Sequence, residues 1–231
     1  MAILECKDLK KRYGPTEALR GVSFNLEPGR ITGLLGPNGS GKTTFIKLTA
    51  GLLVQTSGLL KVCGMEPGRK TKALVSYLPE RLDLPLWMKV EAVLNYFRSF
   101  YKDFDRDRAA DMLEGLGVPL DKPIRALSKG TREKVRLICC MSRKAKLYLL
   151  DEPVGGVDPA TRDFILRTII ANFDPEAAVL ISTHLIGDVE KVLDDVIFLD
   201  KGLVKLQSSV DAIRQERGCD VDTLFREVFR C

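Results

Sequence analysis

Residues 36–43 read GPNGSGKT and follow the apolar run from Ile31 to Leu35. A Gly-x-x-x-x-Gly-Lys-Thr turn between a buried strand and a helix suits a polyphosphate, because glycines let successive N–H groups face inward around phosphate oxygens. Lys42 then supplies a mobile positive charge for β and γ phosphates, and Thr43 offers a hydroxyl to Mg²⁺. A second run, LYLLDEP, ends an apolar stretch in two acids, Asp151 and Glu152. Open α/β sheets place ligands at the carboxyl ends of their strands, where these acids emerge. Beside a phosphate loop, Asp151 suits Mg²⁺ held through its water shell, and Glu152 suits the polarising of an attacking water as a general base.

Two further features are chemical candidates. LSKGTREKVRL, from Leu127 to Leu137, turns from polar loop to helix, with Ser128 placed to cap it and Gly130 permitting a close approach. The first N–H groups of a helix lack partners and the peptide dipoles add there, so this is a second place for an anion. His184 is the single histidine and directly follows LIST. By itself a histidine at a strand end is more often structural or solvated than a phosphate contact.

Elements must position these groups. VSFNL puts Val22, Phe24 and Leu26 on one face, which predicts a half-exposed antiparallel strand, whereas the continuous run Ile31 to Leu35 predicts a strand buried on both faces. LLKVCG and ALVSYLPE read as further strands. From Val90 to Met141 apolar residues recur at three- and four-residue spacing, punctuated by Gly117, Pro119 and Pro123, which predicts a helical insertion over about residues 80–142. LYLLDEP, DFILRTII, AVLISTH, LIGDVEKVL and DVIFLDKG then alternate strand and helix, as in a parallel sheet with crossover helices. The tail, about 208–231, reads as two short helices.

With 231 residues, 45% hydrophobic and 29% charged, the chain has the composition of an ordinary globular protein with a real core. Lys and Arg outnumber Asp and Glu by only 36 to 31, which argues for neither nucleic acid nor an anionic membrane surface. The N-terminus has no signal-peptide pattern and no run approaches the roughly 18 apolar residues of a membrane span, so a cytosolic location is expected. Cys6, Cys63, Cys139, Cys140, Cys219 and Cys231 contain no C-x-x-C pair, and reduced, partly buried thiols are expected.

Over almost its whole length the chain resembles the nucleotide-binding subunit of an ABC transporter. That family's motifs stand here in order: an adenine-stacking aromatic at Tyr13 in KRYG, Walker A at Gly36 to Thr44, a Q-loop in YLPE ending at Glu80, and a signature loop at LSKGT. Walker B follows at Asp151 with Glu152, a D-loop in GGVD ending at Asp158, and a switch histidine at His184. The resemblance implies one ATP-binding domain over 1–231: an α/β P-loop NTPase (RecA-like) core with an antiparallel β subdomain and an inserted α-helical subdomain. It implies that Tyr13, Gly36, Pro37, Asn38, Gly39, Ser40, Gly41, Lys42, Thr43 and Thr44 bind ATP, and that Thr43, Glu80 and Asp151 serve Mg²⁺. Glu152 and His184 would be catalytic. Residue by residue, local alternatives stand beside these roles: Tyr13 packing on a sheet edge, and Asp158 capping the helix that begins at Pro159.

Subunits of this family pair head to tail, so Ser128, Lys129, Gly130 and Thr131 would act on the ATP held by a partner's Walker A. The residues agree, since one triphosphate does not need two separate helix N-termini from one compact chain, while two opposed chains can share two. The implied partners are a second ATPase subunit, identical or not, and a separate membrane permease, with no nucleic acid. The implied place is the cytoplasmic face of the membrane, and the stand-alone cassette, short tail and signature resemble exporters of drugs, peptides or antibiotics. A soluble single-cassette ATPase acting in an assembly process is the alternative, and a nucleotide-gated module without hydrolysis is disfavoured by the intact Glu152 and His184. Three positions depart from the family pattern. Glu80 stands where Gln is usual, which adds negative charge beside a triphosphate, and Lys129 and Thr131 replace a glycine and a glutamine of the signature.

Overall fold

The computed structural model describes residues 1–81 and 84–229; Cys231 lies outside them. Two sheets and a helical lobe make up these residues. The first sheet is antiparallel and holds β1 (Leu4–Tyr13), β2 (Thr16–Leu26) and β4 (Ser57–Val62) in the order β2-β1-β4. The second holds β3 (Arg30–Leu35), β5 (Val75–Leu78), β6 (Leu147–Asp151), β7 (Ala178–Thr183), β8 (Asp195–Asp200) and β9 (Leu203–Ser209) in the order β5-β6-β7-β3-β8-β9. All its pairings are parallel except β8 with β9.

Val22, Phe24 and Leu26 face the core from β2 as their alternation predicts, and β3 is buried on both faces between β7 and β8. Strands begin earlier than the sequence pattern indicates, however. β1 buries Leu4, Cys6 and Leu9, and its register slips between Cys6 and Leu9, where Asp8 has φ +46°. That bulge breaks the two-residue period that would have announced the strand. β9 also lacks a signature, because it is an edge strand with no fully buried residue.

α1 (Lys42–Thr49) follows β3, and α5 (Pro159–Asn172) crosses from β6 to β7. LIGDVEKVL is shorter than its helical pattern: α6 (Ile186–Val189) is one turn, a 3₁₀ turn follows, and Leu193 becomes extended to enter β8. In the tail, Ser209 caps α7 (Val210–Arg217), Gly218 ends it in the left-handed region, and α8 (Val221–Phe229) packs Phe225 and Phe229 on Phe198. No helix among the described residues is long and apolar enough to cross a membrane. The described cysteines are all free.

The helical lobe contains α2 (Val90–Phe100), α3 (Arg106–Glu114) and α4 (Lys129–Met141), and has its own core around Val90, Leu94, Leu113 and Ile138. α4 belongs to two cores. Val135, Ile138 and Cys139 face the lobe, while Leu137, Cys140 and Met141 face the parallel sheet. Just beyond α4, the buried Arg143 donates to the carbonyls of Val75 and Ala73, pairs with Asp103 and lies over the Tyr101 ring, so that one guanidinium joins sheet and lobe.

Candidate functional site

β3 delivers the chain into residues 36–43 beneath the turn after β8. A Cβ at Gly36 would sit 2.1 Å from the Leu199 carbonyl oxygen, so only glycine fits. Gly41, with φ +110°, turns the loop into α1. Gly202 N–H donates to the Ser40 carbonyl at 2.9 Å and steadies the loop from outside. Lys42 is buried, and its Nζ donates to the carbonyls of Gly36 (2.7 Å) and Pro37 (3.2 Å). A phosphate oxygen entering the loop would compete for the same ammonium. Burial lowers the Lys42 pKa, against the carboxylates of Glu152, Asp151 and Glu80. Nearby, the buried Ser40 Oγ has no hydrogen-bond partner among the described residues.

Asp151 and Glu152 leave the end of β6 beside β7, where Asp151 is in register with Ser182. Asp151 Oδ1 accepts from Ser182 Oγ (2.5 Å) and from Thr43 Oγ1 (3.2 Å), while its buried Oδ2 has no partner among the described residues. Burial raises the Asp151 pKa, although both hydroxyls oppose the shift. No group of three or more His, Cys, Asp or Glu suited to a metal occurs among the described residues. What is present is one unpaired carboxylate oxygen beside a hydroxyl. That set fits a Mg²⁺ ion completed by water and phosphate oxygens, the usual arrangement for this ion.

Glu152 occupies the left-handed region at φ +50°, a sparsely populated conformation for a residue with a side chain. Its N–H donates to the Ser182 carbonyl at 2.9 Å. Thr183 Oγ1 donates to Oε2 at 3.0 Å; His184 Nδ1 lies 3.0 Å and Lys42 Nζ 4.0 Å from Oε1. The carboxylate is thus held at both oxygens and mostly buried, while the imidazole remains open to solvent.

The structure brings Lys42, Thr43, Asp151, Glu152 and His184 together and leaves the other candidates outside that bonded set. Glu80 is exposed, and its carboxylate makes no hydrogen bond or ion pair among the described residues; its backbone is held by Arg136, which donates to the carbonyls of Pro79 and Glu80. Glu80 does line, with Lys129, Glu152 and His184, a cleft of about 580 Å³ between sheet and lobe. Tyr13 is 44% exposed at the end of β1, with Lys11 Nζ 4.9 Å from its ring centre.

Ser128 caps α4 by accepting from Thr131 N–H at 3.1 Å, and among the described residues nothing in 128–131 bonds to the 36–44 loop. Lys129 Nζ instead donates to the Gly156 carbonyl. Asp158 caps α5 through Thr161 N–H and Oγ1, and those bonds lower its pKa. Ser182, Thr183 and Arg136 are site residues that pattern reading passed over. For the first two the signal was the pair of small hydroxyls ending an apolar strand next to the strand that carries the acids.

A sequence model described as ABC transporter matches residues 19–155. The chain is 32% identical over 227 residues to an uncharacterized ABC transporter ATP-binding protein of Bacillus subtilis, YxlF, covering 96% of this chain and 76% of the relative. It is likewise 32% identical to the Nod factor export ATP-binding protein I of Ralstonia nicotianae, covering 95% of this chain and 71% of that one. Among solved structures, one described as the ATP binding subunit of an ABC transporter superposes with a TM-score of 0.88 at 28% identity, covering 98% of this chain and 99% of the other. With the phosphate loop, parallel sheet, antiparallel sheet and helical lobe in place, the chain has a P-loop NTPase fold and belongs to the ABC transporter family, as an ATP-binding subunit.

Proposed function

We propose that the chain hydrolyses ATP to drive export through a separate membrane permease, against whose cytoplasmic face it works. The observation that carries the reading is the Glu152 carboxylate, fixed by Thr183 and His184 and 4.0 Å from the Lys42 ammonium. A base held at both oxygens next to a phosphate-binding lysine is oriented before substrate arrives, and orientation is much of what catalysis requires here. Export is supported by the relative named for Nod factor export.

In this reading the 36–44 loop wraps the phosphates, with Lys42 exchanging its loop carbonyls for β and γ oxygens, and the exposed Tyr13 ring stacks on adenine. Thr43 and Asp151 hold Mg²⁺, which when bound neutralises charge building on the phosphates. Glu152 takes a proton from the attacking water, and His184 keeps the carboxylate and the γ-phosphate in line. Ser128 and Gly130 cap the ATP of a second subunit, so that ATP binding closes a dimer and hydrolysis reopens it.

Glu152→Gln tests the reading, because it preserves shape and removes the base. ATP binding should persist, turnover should fall by about 10² to 10⁴, and an ATP-held dimer should accumulate. Undiminished hydrolysis in this variant would remove Glu152 from the mechanism.

A further inference from the structure

We infer that Lys129 is a positioning residue that ties the start of α4 to the 155–158 turn of its own chain, so that the signature loop and the turn ending at Asp158 move as one piece. The inference deepens the functional reading above and rests on it for its catalytic consequence, but not for the contact itself.

Lys129 is the first residue of α4, where the partial positive charge of the helix end opposes a cation. Helix stability therefore does not account for a lysine there. Its ammonium finds an acceptor elsewhere, since Nζ donates to the Gly156 carbonyl at 2.7 Å, and no carboxylate among the described residues pairs with it. A hydrogen bond from a charged donor is about twice as strong as one between neutral groups. Gly156 itself has φ +67°, and a Cβ there would lie 3.3 Å from that same Nζ, so glycine leaves the approach open.

The neighbouring residue makes a second join. A Cβ at Gly130 would meet Thr161 Oγ1 at 3.0 Å and Asp158 Oδ2 at 3.5 Å, which puts the first turn of α4 directly against the cap of α5. Further along, Leu137 of α4 and Ile165 of α5 share the sheet-side core. The two helix starts thus meet through Lys129 with Gly156, through Gly130 with Thr161 and Asp158, and through a common apolar base. Of these joins only the first can be removed without disturbing packing. A lysine directed at a partner's phosphate would make a different use of the same ammonium, and would leave the Gly156 carbonyl free.

Hydrogen exchange in the ligand-free chain separates the two uses, because no partner or nucleotide is needed. Lys129→Met keeps much of the stem and removes the donor; the Gly155 amide, which donates to the Glu152 carbonyl at 3.0 Å within the same turn, should exchange about fivefold faster, within the range of one lost net hydrogen bond. Lys129→Arg, which keeps a charged donor, should restore most of the protection. With ATP and Mg²⁺, Lys129→Met should lower kcat severalfold while ATP affinity of the single subunit stays as in wild type. Unchanged exchange in the Met variant overturns the tie, whatever turnover does, and with weakened ATP-dependent pairing it assigns Lys129 to the partner's phosphate instead. Faster exchange with unchanged kcat overturns the positioning role. A wild-type chain that does not hydrolyse ATP defeats the functional reading while leaving the exchange comparison intact.

Discussion

Ser182 Oγ donates to Asp151 Oδ1 across neighbouring parallel strands, and with Thr43 as the other donor the most deeply buried acid of the site is held by neutral hydroxyls and, among the described residues, by no cation. Burial therefore raises its pKa, and the folded chain releases that proton less readily than the unfolded chain does. The stability linked to this group is fully present below the ordinary carboxylate pKa and is lost as pH rises through the raised value. At neutral pH without Mg²⁺, Asp151→Asn should thus melt above wild type, by about 2–4 °C for each kcal/mol recovered. The difference should vanish in acid, and Mg²⁺ should stabilise wild type only. Calorimetry across pH decides it; a variant that melts lower at neutral pH contradicts the argument.

Glu80 has an exposed carboxylate that bonds to nothing among the described residues, yet its charge is felt at Lys42 and Asp151. Glu80→Gln should retain turnover within about tenfold, some 1.4 kcal/mol of barrier. The concentration of Mg²⁺ needed for half-maximal rate should move more than the maximal rate. Abolished turnover on so small a change would reveal a chemical role for the carboxylate.

Gly36→Ala places a methyl 2.1 Å from the Leu199 carbonyl oxygen and 2.8 Å from the Ser40 hydroxyl, and the Leu199 backbone cannot yield without opening the phosphate loop. The expected cost is about 1–3 kcal/mol of stability, together with loss of nucleotide binding. A denaturant titration and a fluorescent-nucleotide titration measure the two effects, and an alanine variant with intact affinity would show the loop to be more pliant than its packing implies.

Lys42→Ala and Gly130→Asp variants, mixed, test where the signature loop acts. Each alone should fail to pair with ATP, the first for want of a phosphate ligand and the second because a new acid faces the phosphate. A mixed dimer has one composite site with both parts intact, so association measured by light scattering should return in the mixture. Because a side chain at Gly130 also crowds Thr161, Gly130→Ala serves as the uncharged control. No recovery beside a wild type that pairs would mean that the loop does not serve a partner's ATP.

The parts most legible in the sequence were those where one physical demand dominates. Ile31 to Leu35 had to be free of charge to be buried on both faces, and the phosphate loop required glycine and lysine at set intervals. β1 escaped because the bulge near Asp8 shifts its buried residues out of phase, and β9 because an edge strand need bury little. The partners of the acids escaped for another reason. Ser182 and Thr183 are ordinary residues in isolation, and what gives them a role is the register that sets Asp151 opposite Ser182, which only the folded sheet supplies.

α4 has apolar residues committed to the sheet on one side and to the helical lobe on the other, and it begins at the signature loop. Rolling such a helix about its axis would expose one row or drive the other into a filled space, and close-packed interiors resist both. Wedged between two filled spaces, α4 is held by the sheet and the lobe at once, and neither can shift against it without the other being disturbed. Its far end is fastened as well, since Arg143, just beyond Met141, bonds to Val75 and Ala73 at the edge of the sheet.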